Sequence, residues 1–208
     1  MMGRMTSRPT AKRIRKTPAE RRAEIINAAT QLAHLHGLDR LTVRDVASDV
    51  GVTPGLLHHY FPQIDDLIAE VFTTVVGHDL DELHAGLDDM EPLDAAKDFL
   101  ARSMSNQRTP TLALWLSAWV TAPRREPLAR EVEIRMADGV SKLADLIQRG
   151  YHAGVFNAPE PKLAAWRILV VMDGTLIQRS VRTAQFPGQS VEGILTSAME
   201  NELGVSLS

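Results

Sequence analysis

Cysteine is absent from the 208 residues. That removes disulfides, thiolate nucleophiles and thiolate metal sites, and it suits a reducing, cytoplasmic compartment. Aromatic residues are scarce at 5%, with three tryptophans and two tyrosines among them. No apolar run approaches the length of a bilayer span. The longest, Ile168 to Met172, stops at Asp173 and Gly174, so no membrane partner is expected. Strand-like alternation, internal repeats and low-complexity tracts are also missing. So are a nucleophile elbow, a glycine-rich phosphate loop and a two-histidine zinc motif, and no catalytic residue, metal or cofactor is expected. His78 and Glu82 stand one helical turn apart, but no second histidine matches their spacing.

What remains is ordinary for a soluble globular chain: 44% hydrophobic and 24% charged residues. The charge distribution is not ordinary. Residues 1–22 carry eight basic side chains (Arg4, Arg8, Lys12, Arg13, Arg15, Lys16, Arg21 and Arg22) against Glu20 alone, a net of +7. With −3 overall, −10 falls on the remainder. A basic head on an acidic body points to a polyanionic partner for the head. Residues 1–16 read as a basic arm without periodicity, suited to phosphates or a minor groove, or else a solvated tail.

The periodicity is helical throughout, and the expected fold is all-α. Thr17-Pro18-Ala19-Glu20 forms a capping box and opens a helix to about His36, stopped by Gly37. Ile25, Ala29, Leu32 and Ala33 line one face of it. The next stretch, Leu41 to Phe61, reads as a helix-turn-helix. Thr42 caps a short helix whose apolar face is Val43, Val46, Ala47 and Val50. Gly51 supplies the sharp turn. Thr53 caps the second helix, with Pro54 in its first turn. Leu56, Leu57, Tyr60 and Phe61 form its expected buried side. A small residue at Ala47, glycine at 51 and a large anchor at Leu57 satisfy two helices crossing closely at a steep angle. The domain boundaries read as 1–16 arm, 17–62 helix-turn-helix domain, and 63–208 helical effector-binding and dimerisation domain. A long helix from about 64–66 to 86 joins the two. Further helices are expected near 92–106, 110–122, 126–153, 160–182 and 190–203, with Pro187 and Gly188 marking the last loop.

The carrying residues of the head are Ile25, Ala28, Ala29, His36-Gly37, Leu41 through Ala47, and Gly51 through Phe61. These resemble the DNA-binding domain of TetR-type (tetracycline-repressor-like) bacterial regulators. The body resembles the choline-responsive BetI-like branch through Leu114-Trp115-Leu116-Ser117-Ala118-Trp119, Pro127-Leu128 and Met172-Asp173-Gly174. The resemblance implies a homodimer built on the last two helices as a four-helix bundle, a small-molecule pocket in the body, and DNA released by an effector. It also implies double-stranded DNA as partner. Two positions depart from the family. His58 stands where tyrosine is frequent. Ile64 stands where a lysine usually touches a phosphate, which implies somewhat weaker DNA binding unless the arm compensates.

The expected DNA-binding residues are Thr42, Arg44, Thr53, Pro54, Gly55, His58, His59 and Tyr60. Arg44 is the expected reader of sequence, since an arginine–guanine pair contributes about 1–3 kcal/mol of discrimination. Its competing role is a surface ion pair with Asp45 or Asp49. Thr42 and the arm are expected to add affinity rather than specificity. Trp115, Trp119, Phe156, Trp166 and Asp173 are the candidate ligand-binding set. Aromatic faces with a carboxylate suit a quaternary ammonium group; core packing is the plainer role for the tryptophans. Asp173 either lines a pocket or pairs with Arg167 or Arg179. Dimerisation is expected through the helices near 160–182 and 190–203, setting two recognition helices about 34–36 Å apart. The leading function is thus a ligand-responsive, DNA-binding transcriptional repressor. The alternatives are an all-α enzyme or metal-dependent protein with an incidental helix hairpin, and a helical adaptor for an acidic partner.

Overall fold

The computed structural model describes residues 16–181 and 190–207. The arm up to residue 15 and the Pro187–Gly188 loop lie outside them. The described residues form nine α-helices and no strand. They are α1 (Pro18–His36), α2 (Val43–Val50), α3 (Pro54–Tyr60), α4 (Ile64–His84), α5 (Pro92–Ser103), α6 (Thr109–Thr121), α7 (Glu126–His152), α8 (Pro161–Val181) and α9 (Val191–Leu203).

Local chemistry sets these boundaries. The Thr17 hydroxyl accepts from the Glu20 N–H at 3.2 Å while the Glu20 carboxylate accepts from the Thr17 N–H at 2.7 Å. Losing such a cap costs about 1 kcal/mol. The Thr42, Thr53 and Ser190 hydroxyls cap α2, α3 and α9 by accepting the N–H of Asp45, Leu56 and Gly193. Gly51 closes α2 at φ 70°, a left-handed conformation that side chains with a Cβ resist.

Two apolar cores follow. The first gathers Ile25 and Ala29 of α1, Val46 and Ala47 of α2, Leu57 of α3 and Phe72 of α4, and continues into Leu114 and Ala118 of α6 and Leu128 of α7. The head therefore shares its core with the body through α4 and α6. Leu57 is fully buried, which contributes about 1.5–3 kcal/mol. Leu56, expected on the buried side, is instead 38% exposed, because α3 turns only its Leu57 and Phe61 edge toward α2 and α4. The second core joins Leu83, Phe99, Leu143, Ile147, Ile168, Leu195 and Met199 at the far end.

Phe156 belongs to this second core. Its ring lies against Gly150 so closely that a Cβ there would meet ring carbons at 2.0 and 2.2 Å. Glycine at 150 is what lets the chain fold back from α7 to α8.

Candidate nucleic-acid interface and effector cavity

The helix-turn-helix offers one continuous polar surface. Thr42, Arg44, Thr53, Pro54, Gly55, His58 and His59 are all exposed, and Tyr60 is half-buried. Arg44 makes no ion pair with Asp45 or Asp49. The reason is that the Thr42 hydroxyl claims the Asp45 carboxylate at 2.6 Å, closing the cap. Arg44 is left exposed on the surface. His58 holds its Nδ1 against the Pro62 carbonyl at 3.3 Å, which fixes the ring at the end of α3. The His59 and Tyr60 rings meet edge to face at 5.5 Å. Ile64 is half-buried against the head core, so it has become a packing residue.

The head is clamped from behind by a group the sequence did not signal. Arg22 of α1 forms a two-pronged ion pair with Glu70 of α4 and stacks over the Phe61 ring at 4.8 Å. One side chain thus ties α1, the end of α3 and α4 together.

A cavity of about 100 Å³ opens in the body between α4, α6, α7 and α8. A single water requires only about 10–15 Å³ on this measure, so the space suits a small organic molecule. Trp115, Trp119, Trp166 and Asp173 all line it. Phe156, expected in the ligand-binding set, does not line it; its ring packs against Gly150 in the second core. The chain's three tryptophans therefore all face one cavity. Trp115 and Trp119 lie 5.5 Å apart, and Trp115 stands edge-on to Phe72 of α4 at 5.0 Å.

Asp173 has neither of the arginine partners considered for it. Arg167 reaches Glu202 at 3.4 Å, and Arg179 donates to the Met104 carbonyl and the Asn106 side chain. The half-buried carboxyl has no hydrogen-bond partner among the described residues, and its desolvation pushes its pKa up to about 6; Arg108, on the same cavity wall, pulls the other way. An ionisable group in a cleft with its pKa displaced by desolvation is a candidate binding residue.

Arg108 was not anticipated either. It forms a buried bidentate ion pair with Asp79 of α4, with Nε at 3.0 Å and Nη2 at 2.5 Å. A signal existed: Asp79 occupies a buried-face position between Val76 and Leu83, where an unpaired charge is costly. His78 and Glu82 form only a surface contact at 3.5 Å, and no acid–histidine group able to hold a metal occurs among the described residues.

The cavity and the head touch through α6. Trp115 and Trp119 face the ligand space, and between them Ser117 accepts the Leu38 N–H at 2.8 Å, from the turn after α1. This hydrogen bond joins α6 to the head directly.

A helix-turn-helix with an exposed polar surface, joined to a helical body with a small-molecule cavity, defines a ligand-responsive DNA-binding regulator. Comparison with known proteins agrees. Residues 25–71 match the family described as bacterial regulatory proteins, tetR family, and residues 92–204 match the BetI-type transcriptional repressor C-terminal family. The chain belongs to the TetR family of bacterial transcriptional regulators, with a BetI-type body. It is 27% identical to the regulator BetI of Agrobacterium fabrum over 187 residues, covering 88% of each chain. It is 31% identical to BetI of Brucella anthropi over 117 residues, covering 55% of this chain and 60% of that one. Among solved structures, a Pseudomonas aeruginosa transcriptional regulator superposes with a TM-score of 0.76 at 22% identity, covering 90% of this chain and 92% of the other. A Saccharomonospora viridis regulator in complex with choline superposes with a TM-score of 0.73 at 20% identity, covering 86% and 94%. At such identities the superpositions speak for the fold. Regulators of this family bind DNA, dimerise and bind small-molecule effectors; they are not enzymes. No helix among the described residues is long and apolar enough to cross a membrane.

Proposed function

We propose that this regulator represses transcription by binding a palindromic operator as a homodimer, and that a small organic cation in the body cavity releases it. The observation that carries the effector class is Asp173, a half-buried carboxylate with no hydrogen-bond partner among the described residues, in a cavity walled by three tryptophans. A cation over aromatic faces and beside that carboxylate satisfies both features at once. The choline complex of the S. viridis regulator is a parallel for this chemistry.

In this reading residues 17–62 form the DNA-binding domain and 63–208 the effector and dimerisation domain. Arg44, Thr53, Pro54, Gly55, His58 and His59 meet base edges or phosphates. Thr42, Tyr60 and the basic arm contact the backbone. Dimerisation uses α8 and α9. In support, α8 turns Leu163, Trp166, Val170 and Ile177 outward, each at least 38% exposed. Filling the cavity shifts α6, and Ser117 passes the shift to the turn between α1 and α2. The effector works to the extent that it prefers the shifted state. The protein acts in the cytoplasm.

The experiment is selection of bound sequences from a random duplex pool at near-physiological salt, followed by release assays with quaternary ammonium compounds. Enrichment of one palindrome and its release by a cation supports the reading. Enrichment of nothing by folded dimer overturns it.

A further inference from the structure

The cavity is not finished within one chain. Four residues of its wall, Met136, Trp166, Val170 and Ile177, are also among the most exposed large apolar side chains of the protein, at 43, 54, 50 and 38%. Three of them lie on α8, at spacings that set them on one side of the helix with Leu163, itself 39% exposed. The same stripe is thus both cavity wall and outer surface.

We propose that a second copy of this chain completes the effector cavity, so that the ligand binds at a site closed by the dimer. The inference rests on the reading that α8 forms the dimer seam. Three observations favour a second copy as the occupant. Regulators of this family dimerise. Gly174 sits on the exposed face between Val170 and Ile177, and a Cβ there would meet nothing within 4 Å. Glycine inside a helix costs stability, and its open space admits the close approach of a partner helix. Finally, of the charged side chains on this side of α8, Asp173 lines the cavity and Arg167 is paired with Glu202 of α9.

A seam centred on Val170 and Gly174 covers Leu163 and the outer edges of Trp166 and Ile177, and so roofs the cavity. Effector affinity and dimerisation are then linked: each strengthens the other by the same factor. An effector bound there touches the element that sets the distance between the two recognition helices.

The test uses the full-length protein, whose tryptophan fluorescence reports on this cavity alone. Trp115 and Trp119 are replaced by Phe to leave Trp166 as the single emitter, and dimers are verified by sedimentation. In the dimer, Trp166 is expected to be shielded from iodide, with blue-shifted emission. In Leu163→Glu, which breaks the seam without altering the cavity wall, a monomer is expected with Trp166 freely quenched. On the parent chain the same substitution is expected to weaken choline, the probe cation, at least tenfold. Free quenching of Trp166 in the single-tryptophan dimer overturns the proposal, as does a monomeric Leu163→Glu chain that holds choline as tightly as wild type. A Leu163→Glu chain that remains dimeric overturns the α8 seam itself. If Leu163→Glu does not fold, quenching in the single-tryptophan dimer decides. If wild type does not bind choline, the cationic effector fails while the quenching comparison still decides this proposal.

Discussion

Replacing Asp173 by Asn is expected to make the protein more stable and less responsive at once. The folded chain holds the Asp173 proton to about pH 6, whereas the unfolded chain releases it near 3.8. Between those values the native state binds more protons, so stability falls as pH rises and the full cost is present above pH 6. At about 1.36 kcal/mol per pH unit, the cost at pH 7.5 is about 3 kcal/mol, an upper figure because an amide in the same place also lacks a partner. For a chain of this length that corresponds to a Tm rise of about 5–10 °C for Asp173→Asn at pH 7.5, shrinking to nothing near pH 4. The same substitution removes the charge that meets the cation and is expected to weaken a quaternary ammonium effector by tenfold or more. Wild-type affinity for such an effector should itself fall as pH drops through 6, because protonation of Asp173 neutralises the site. Differential scanning calorimetry across pH 4–8, with effector titrations at pH 5 and 7.5, measures both. An Asp173→Asn protein that is less stable than wild type at pH 7.5, with effector affinity intact, refutes the reasoning.

Three further outcomes follow from particular contacts. Arg44→Ala is expected to lose about 1–3 kcal/mol of discrimination at one operator base, read as a relaxed preference at that position in binding to single-base operator variants. Ser117→Ala removes the acceptor of the Leu38 N–H; operator release is expected to need more effector while effector affinity measured without DNA stays unchanged. Gly150→Ala drives a methyl into the Phe156 ring and is expected to cost at least about 1–3 kcal/mol in chemical denaturation, with the cavity unaffected.

The helix-turn-helix was legible because its constraints are local. Caps at Thr17, Thr42 and Thr53, the turn at Gly51 and the anchor at Leu57 each declare themselves within a few residues. The order and limits of the body helices were legible for the same reason. What the sequence could not assign was membership in a cavity, which depends on helix packing between residues far apart. Phe156 and Trp166 are both aromatic residues of the body, yet one fills the space over Gly150 and the other rims the cavity. Asp173 kept several possible partners until the packing gave Arg167 to Glu202 and Arg179 to the loop before α6. The Asp79–Arg108 pair spans 29 positions and was hidden by that separation, although a carboxylate on the apolar face of α4 already required a partner. Leu56 was misjudged because α3 is too short, at seven residues, for its periodicity to fix more than one edge.

The most direct test of the account is fluorescence anisotropy of the selected operator duplex with full-length protein, titrated with choline for wild type and for Asp173→Asn. The account predicts that wild type binds the palindrome as a dimer and lets it go as choline rises, while Asp173→Asn binds the same DNA and retains it. Operator binding that choline leaves unchanged in wild type, or releases equally in Asp173→Asn, contradicts it.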